Sequence, residues 1–378
     1  MPERKGKILI LTGDAGLGHR IAAEALEQAF KNQFGSRCEV TITNPLNHPD
    51  IPDFIRESQS DYDEFVKNFP ELYKLGYEVS DSKLPVNLME DGSTLLLLDV
   101  MRDIHAETDP DLVITTYPIY QAPLCALRDS DDLSIPFMAT VTDLVTVHKV
   151  WFNTDITRLT VPTEAVRQRA LEAGLTPEQI IITGIPVDPE IQELKSVSKP
   201  TIREELGWKP EITTLLVVGS PRVVSLMDIL QKLDESDQVF QFALVAGGND
   251  PLHEKFETTE WKHPNYVYNF IEFMPKLMRA SDMIVCKAGG LIVTESLASG
   301  LPLMLVHVLP GQEQGNVAFV IDHNAGALCE TPEEAYETFS GWLGDGRARL
   351  EEIAQNAEDA GRADAARKIT EIAWDLIE

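Results

Sequence analysis

The feature that most narrows the possible folds is the opening unit of the chain. Lys7–Thr12 reads as a strand whose unbroken apolar stretch, Ile8–Leu11, has the pattern of a strand buried on both faces of a parallel sheet. Gly13–His19 reads as a glycine-rich loop. From Arg20 to Phe34, Ile21, Ala22, Ala25, Leu26, Ala29 and Phe30 recur at helical spacing. Strand, glycine loop and helix in that order begin a doubly wound α/β domain. The glycine spacing is not that of a dinucleotide fingerprint, and no acidic residue follows the second strand at the usual place.

The same grammar continues through the chain. Further strands are predicted at Glu39–Thr43, Leu112–Thr116, Phe137–Thr142, Arg158–Val161 and Ile180–Thr183. Gly184–Pro189 then breaks the pattern, and a polar stretch follows. Strands resume at Leu215–Val218, Phe242–Ala246, Asn265–Phe270, Met283–Cys286 and Leu303–His307, with helices between them. A chain of 378 residues suits two cores better than one. We therefore expect two Rossmann-like domains, 1–189 and 190–378, on either side of a cleft, with the C-terminal helix a candidate to pack back on the first. The stretch Pro45–Glu90 interrupts the first half with Phe54, Tyr62, Phe65, Phe69, Tyr73 and Tyr77. It reads either as a lid or binding surface or as a pair of short helices with buried aromatics.

Charge removes some functions. Asp and Glu number 61 against 32 Lys and Arg, net -29, so the surface repels nucleic acid and anionic lipid. A nucleotide can still bind, because backbone N–H groups make a locally positive pocket. Cys38, Cys125, Cys286 and Cys329 are scattered and form no C-x-x-C pair, which suits free thiols in a reducing compartment. No signal peptide and no apolar run of membrane-spanning length is expected, so the chain reads as cytoplasmic, in peripheral contact with the inner membrane face if its acceptor is a lipid.

Four polar or glycine-rich segments carry candidate chemistry. In the first loop, Gly16 and Gly18 let a ligand approach the backbone, and His19 stands at the helix start, where a histidine can serve as general base or as a cap. In the second half, Gly289 and Gly290 open a helix whose N-terminus suits a pyrophosphate. Lys287 adds a cation there, and Glu295 stands one turn on, where a carboxylate can bond two ribose hydroxyls. Gln312, Glu313 and Asn316 concentrate amides and a carboxylate at a strand-to-helix junction, as sugar recognition requires. Asp143 and His148 follow a strand end; His148 equally fits a satisfied structural role. Gly219 and Gly247 also end strands and would present N–H groups to phosphates, or simply make turns.

Together these segments resemble glycosyltransferase family 28, and more closely its monogalactosyl- and glucosyl-diacylglycerol synthases. Gly13–Leu26, Thr142–Phe152 and Val161–Arg167 are similar to the family's N-domain; Met274–Pro302 followed by Pro310–Val320 is similar to its donor domain. The resemblance implies a GT-B fold and an inverting, metal-independent hexosyltransferase. It would use a UDP-sugar as donor substrate, diacylglycerol or a related lipid as acceptor, and no cofactor. It makes His19 the catalytic base and Gly16, Gly18, Asp143 and His148 acceptor-side residues. It makes Glu295 the ribose ligand, Gly289 and Gly290 the pyrophosphate loop, and Gln312, Glu313 and Asn316 sugar contacts. The backbone near Phe270 and Ile271 would read uracil. Departures are Leu17 in place of a family glycine and a glycine-poor Gly219–Arg222 loop. Alternatives are a glycosyltransferase for a soluble acceptor, which the acidity favours, a non-catalytic UDP-sugar-binding regulator, and a UDP-sugar epimerase.

Overall fold

The structure is a computed structural model that describes residues 5–14, 17–53, 56, 83–220, 223–309, 311 and 313–378. The aromatic residues of the insertion, Phe54 to Tyr77, lie outside the described residues, as do Gly16 and Gln312. The chain divides into two compact units, described separately.

The first unit comprises Met1–Pro189 together with Asp364–Glu378. Its sheet holds six parallel strands: β1 (Gly6–Leu11), β2 (Cys38–Thr43), β3 (Leu112–Thr115), β4 (Phe137–Thr140), β5 (Arg158–Val161) and β6 (Ile180–Ile182). Their order is β2-β1-β3-β4-β5-β6. The central strands are apolar end to end because helices cover both faces, and every residue of β3 and β4 is buried. The first helix, Leu17–Phe34, begins three residues before the predicted Arg20. Gly18 and His19 therefore lie in its first turn and not in a loop. Apolar spacing starts only at Ile21, so periodicity could not register that turn.

The helix Ala365–Asp375 belongs to this unit. Ala366, Ile369, Ala373 and Trp374 share a buried cluster with Ile8, Leu26 and Phe30. Trp374 stacks on Phe34 with ring centroids 4.2 Å apart, and the Arg37 guanidinium lies 5.4 Å from each ring.

The second unit comprises Glu190–Leu309 and Glu313–Ala363. Its strands are β7 (Thr213–Val218), β8 (Phe240–Val245), β9 (Asn265–Tyr268), β10 (Met283–Lys287), β11 (Leu303–His307) and β12 (Gly326–Leu328), in the order β12-β11-β10-β7-β8-β9, all parallel. β9 ends at Tyr268, two residues short of the prediction, and Phe270 falls in the following loop. At the amino end of β10, the buried Asp282 carboxylate meets Arg203 at 2.6 Å and Lys199 and Arg347 at 3.2 Å, and accepts the Thr214 N–H at 2.8 Å. Burial would raise its pKa, but these cations and the N–H hold it below the ordinary value.

Among the described residues no helix is long and apolar enough to cross a membrane. The surplus of acids, net -29, makes self-repulsion a standing load on both units. Raising the ionic strength from about 0.01 M to about 1 M shortens the screening length from about 30 Å to about 3 Å. The melting temperature should climb by several degrees over that range of sodium chloride in a thermal scan. A melting temperature that is flat or falling with salt would show that the acids are already paired or dispersed.

Candidate active site

In both units the strand order reverses at one point, and many of the residues singled out in the sequence follow the strands beside it, whereas Gly247, Phe270 and Ile271 follow β8 and β9. In the first unit the chain goes from β1 to β2 on one side and returns to β3 on the other, so the switch lies between β1 and β3. Ligands of open parallel sheets bind at that crevice, beyond the carboxyl ends of the strands. Thr12–Asp14 leave β1 there, Thr116 and Tyr117 leave β3, and Val141–Asp143 leave β4.

His19 lies where these ends meet. Its Nδ1 is 2.8 Å from the Thr116 carbonyl oxygen and 2.8 Å from Thr142 Oγ1. A carbonyl oxygen can only accept, so Nδ1 carries the hydrogen and Nε2 keeps the lone pair. The Thr116 hydroxyl donates to the His19 carbonyl at 3.0 Å, tying the helix start to β3. Tyr117 meets the imidazole edge-on at 4.8 Å, and the Trp151 ring is 6.3 Å away. Burial pushes the His19 pKa down; the Asp143 charge and the Thr116 bond oppose this without cancelling it. A neutral imidazole with its lone pair on Nε2 is the form a general base requires.

The predicted pair Asp143 and His148 separate in role. Asp143 stays beside His19 and accepts the Trp151 Nε1–H at 2.9 Å. His148 is buried, and its Nδ1 accepts the Val150 N–H at 3.2 Å, capping the turn that carries Trp151. Sequence reasoning assigned no role to Asp14, Asn44, Asn47 or Thr142. Asp14 accepts from Arg20 Nε at 2.6 Å, Asn44 Nδ2 at 2.7 Å and Asn47 Nδ2 at 3.1 Å. Burial would raise the Asp14 pKa, yet these bonds hold it below the ordinary value. Asn44 directly follows β2 and Asp14 comes three residues after β1, and that shared place beyond a strand end was the available signal.

In the second unit the switch lies between β7 and β10. A bulge after Cys286 turns the end of β10, and Gly289 caps the helix Gly290–Ala298. The first helical bond made to Gly289 comes from Val293, so the N–H groups of Gly290, Leu291 and Ile292 have no intrahelical carbonyl. Lys287 Nζ sits at this helix end, 2.6 Å from where a Cβ on Gly289 would stand. Its charge is matched: Glu313 Oε1 is 2.6 Å away, and Glu313 Oε2 accepts the Leu309 N–H at 2.9 Å. Asn316 Nδ2 donates to the Ala288 carbonyl at 2.9 Å.

Glu313 and Asn316, both expected as sugar contacts, are thus buried and stitch the loop after β11 to the loop after β10. Lys287, expected to add a cation at the helix end, is half of an ion pair. Glu295 is partly buried in the second turn of the helix. Gly219 is corrected: its N–H donates to Val245 O at 2.8 Å, continuing the ladder instead of facing a ligand. A Cβ there would meet Leu252 at 2.4 Å, so close packing demands the glycine. Gly247 adopts φ +67° against the Gly219 carbonyl. The Phe270 ring is 67% exposed beside Gly248, and Ile271 is partly buried. Among the described residues, His48, Asp50 and Asp103 bring potential metal-ligand atoms within 4.8 Å of one another, on a polar surface.

Two family models match the chain. The family described as monogalactosyldiacylglycerol (MGDG) synthase matches residues 19–187, and the glycosyltransferase family 28 C-terminal domain matches residues 213–369. A monogalactosyldiacylglycerol synthase from Spinacia oleracea is 32% identical over 97% of this chain and 72% of its own length. Among solved structures, MurG of Acinetobacter baumannii superposes with a TM-score of 0.63 at 16% identity, covering 98% of this chain and 99% of its own. The UDP-GlcNAc 2-epimerase of Neisseria meningitidis gives 0.62 at 13% identity, over 98% and 100%. These likenesses carry the fold alone, since one fold serves both transfer and epimerisation. The sequence relationship carries more: the chain has the GT-B fold and belongs to the monogalactosyldiacylglycerol synthase family.

Proposed function

We propose that this chain is a hexosyltransferase that moves galactose from UDP-galactose to the free hydroxyl of diacylglycerol, with inversion at the anomeric carbon. The observation that carries the reading is the neutral His19, whose Nδ1 is held by Thr116 and whose Nε2 is left as the base. Nε2 takes the acceptor O–H proton as that oxygen bonds to the anomeric carbon. The bond from that carbon to the phosphate oxygen breaks, and its electron pair leaves with UDP.

The N–H groups of Gly290, Leu291 and Ile292, with Lys287, face the charge that develops on the leaving diphosphate. Fixed dipoles and a held cation of this kind need no rearrangement during reaction. Glu313 keeps the Lys287 ammonium over the helix end, and Asn316 keeps the loop in register. The reaction so drawn needs no metal ion. Glu295 is assigned to the ribose, and the segment at Phe270 and Ile271 to the uracil. A lipid acceptor makes the enzyme a peripheral visitor to the membrane, and its acidity points to an uncharged lipid surface.

The test is a panel of UDP-galactose, UDP-glucose and UDP-GlcNAc with diacylglycerol in neutral mixed micelles, read by mass spectrometry. Monogalactosyl-diacylglycerol should dominate. Binding of the UDP-sugars without release of UDP, or glycosylation of soluble acceptors only, would overturn the reading.

A further inference from the structure

We propose that Thr142 is a positioning residue for the base: with the Thr116 carbonyl it receives the His19 Nδ1–H and keeps Nε2 aimed at the acceptor. The proposal rests on the reading of His19 as the base. Nδ1 stands 2.8 Å from both oxygens, and the carbonyl fixes the hydrogen on that nitrogen. The Thr142 hydroxyl is then a second acceptor of the same hydrogen. The two oxygens come from just beyond the ends of the neighbouring strands β3 and β4, so the imidazole is held from both. Tyr117 closes one side at 4.8 Å and Trp151 flanks the ring at 6.3 Å. The β-branch of threonine restricts χ1, which holds the hydroxyl in place.

The choice of neutral acceptors has a chemical consequence. Asp143, the next residue, commits an oxygen to the Trp151 Nε1–H at 2.9 Å and acts on His19 through space. A carboxylate placed directly on Nδ1 would raise the ring's pKa and favour its charged form. A carbonyl and a hydroxyl leave the resting ring neutral, and their bonds strengthen once Nε2 has taken a proton and the ring is cationic. Among the described residues, the titratable groups facing the ring are Asp143, from the turn after β4, and Tyr117, from the turn after β3.

The experiment compares Thr142→Val, which removes the acceptor at nearly constant volume, with Thr142→Ser, which restores it. Thr142→Val should lower kcat about tenfold to a hundredfold, the range for loss of a hydrogen bond to a charged group. KM for the UDP-sugar should stay unchanged. The acid limb of its kcat–pH profile should move to lower pH, because the imidazolium has lost an acceptor. Thr142→Ser should remain within about threefold of the parent, in line with a retained bond. A purely structural role would leave the acid limb where it is. Wild-type kcat and an unmoved acid limb in Thr142→Val would overturn the proposal. Should Thr142→Val not fold, the ¹⁵N spectrum of His19 in the parent decides: hydrogen on Nδ1 is expected, and a lone pair there overturns it. An active His19→Ala would sink the base assignment itself, whereas an inactive His19→Ala beside a fully active Thr142→Val would sink the role of Thr142 alone.

Discussion

His19→Ala lowers kcat by about a hundredfold to ten-thousandfold, the span assigned to a positioned general base. UDP still raises the melting temperature of this variant as much as it does the parent, because the groups proposed to hold the nucleotide lie in the other unit. The pair of readouts separates loss of chemistry from loss of fold. The pH dependence adds a signature. Burial holds the His19 pKa below its ordinary 6.5, so the base form dominates at neutral pH and the acid limb of kcat lies below that value. As pH falls through the folded-state pKa, the ring protonates and transfer is lost. Stability follows the same direction. Between the unfolded value and the lowered folded value the unfolded chain binds more protons, so stability falls as pH falls through that window and is complete above it. His19→Ala should flatten this part of the stability profile. Full transfer activity in His19→Ala, measured as galactolipid formed per UDP released, would end the assignment.

Gly289→Ala is expected to raise KM for the UDP-sugar at least tenfold, about 1.4 kcal/mol of binding. The backbone of Gly289, at φ -69° and ψ 143°, accepts an L-residue without strain. The obstacle is the space above it. An added methyl would lie 2.6 Å from Lys287 Nζ, 3.3 Å from Lys287 Cε and 3.6 Å from Glu313 Oε1. The ammonium, at the end of a flexible side chain, must shift from its place over the helix end, which disturbs its 2.6 Å pairing with the buried Glu313 carboxylate. Isothermal titration with UDP measures the loss, and Lys287→Met should reproduce most of it. Parental UDP affinity in Gly289→Ala would mean that the Lys287–Glu313 pair has no part in holding the diphosphate.

Much of this architecture was legible in the residues because buried parallel strands are apolar along most of their length. Leu112–Thr115 and Met283–Lys287 announce themselves in that way. Gly326–Leu328 did not: three small or medium residues at a sheet edge, all partly exposed, leave no pattern to read. The glycine-rich segments located both switch points, since glycine and helix N-termini recur wherever a ligand meets the backbone. The pairing between groups stayed hidden. The Thr116 carbonyl that orients His19 is 97 residues away and belongs to the backbone, which carries no side-chain signature. Lys287 and Glu313 were each marked as ligand contacts, yet their attraction for one another, across 26 residues, depends on how two loops pack. Gly219 resembled a phosphate loop because the same residue serves close packing and close approach, and only the position of Leu252 tells them apart.

The return of Ala365–Asp375 to the first unit bears on how the polypeptide matures on the ribosome. The sheet of that unit is synthesised early, but the helix that shares its cluster around Ile8, Leu26 and Phe30 emerges only after the whole second unit has been made. Until then an apolar face stays open beside a growing chain, a state in which nascent proteins attract chaperones or aggregate. The second unit has no such wait, because its core draws on one nearly continuous stretch. Order of synthesis and order of completion are therefore reversed: the half translated last can finish folding before the half translated first. A cut at the linker would divide the gene neatly and leave the amino-terminal product without a wall of its core.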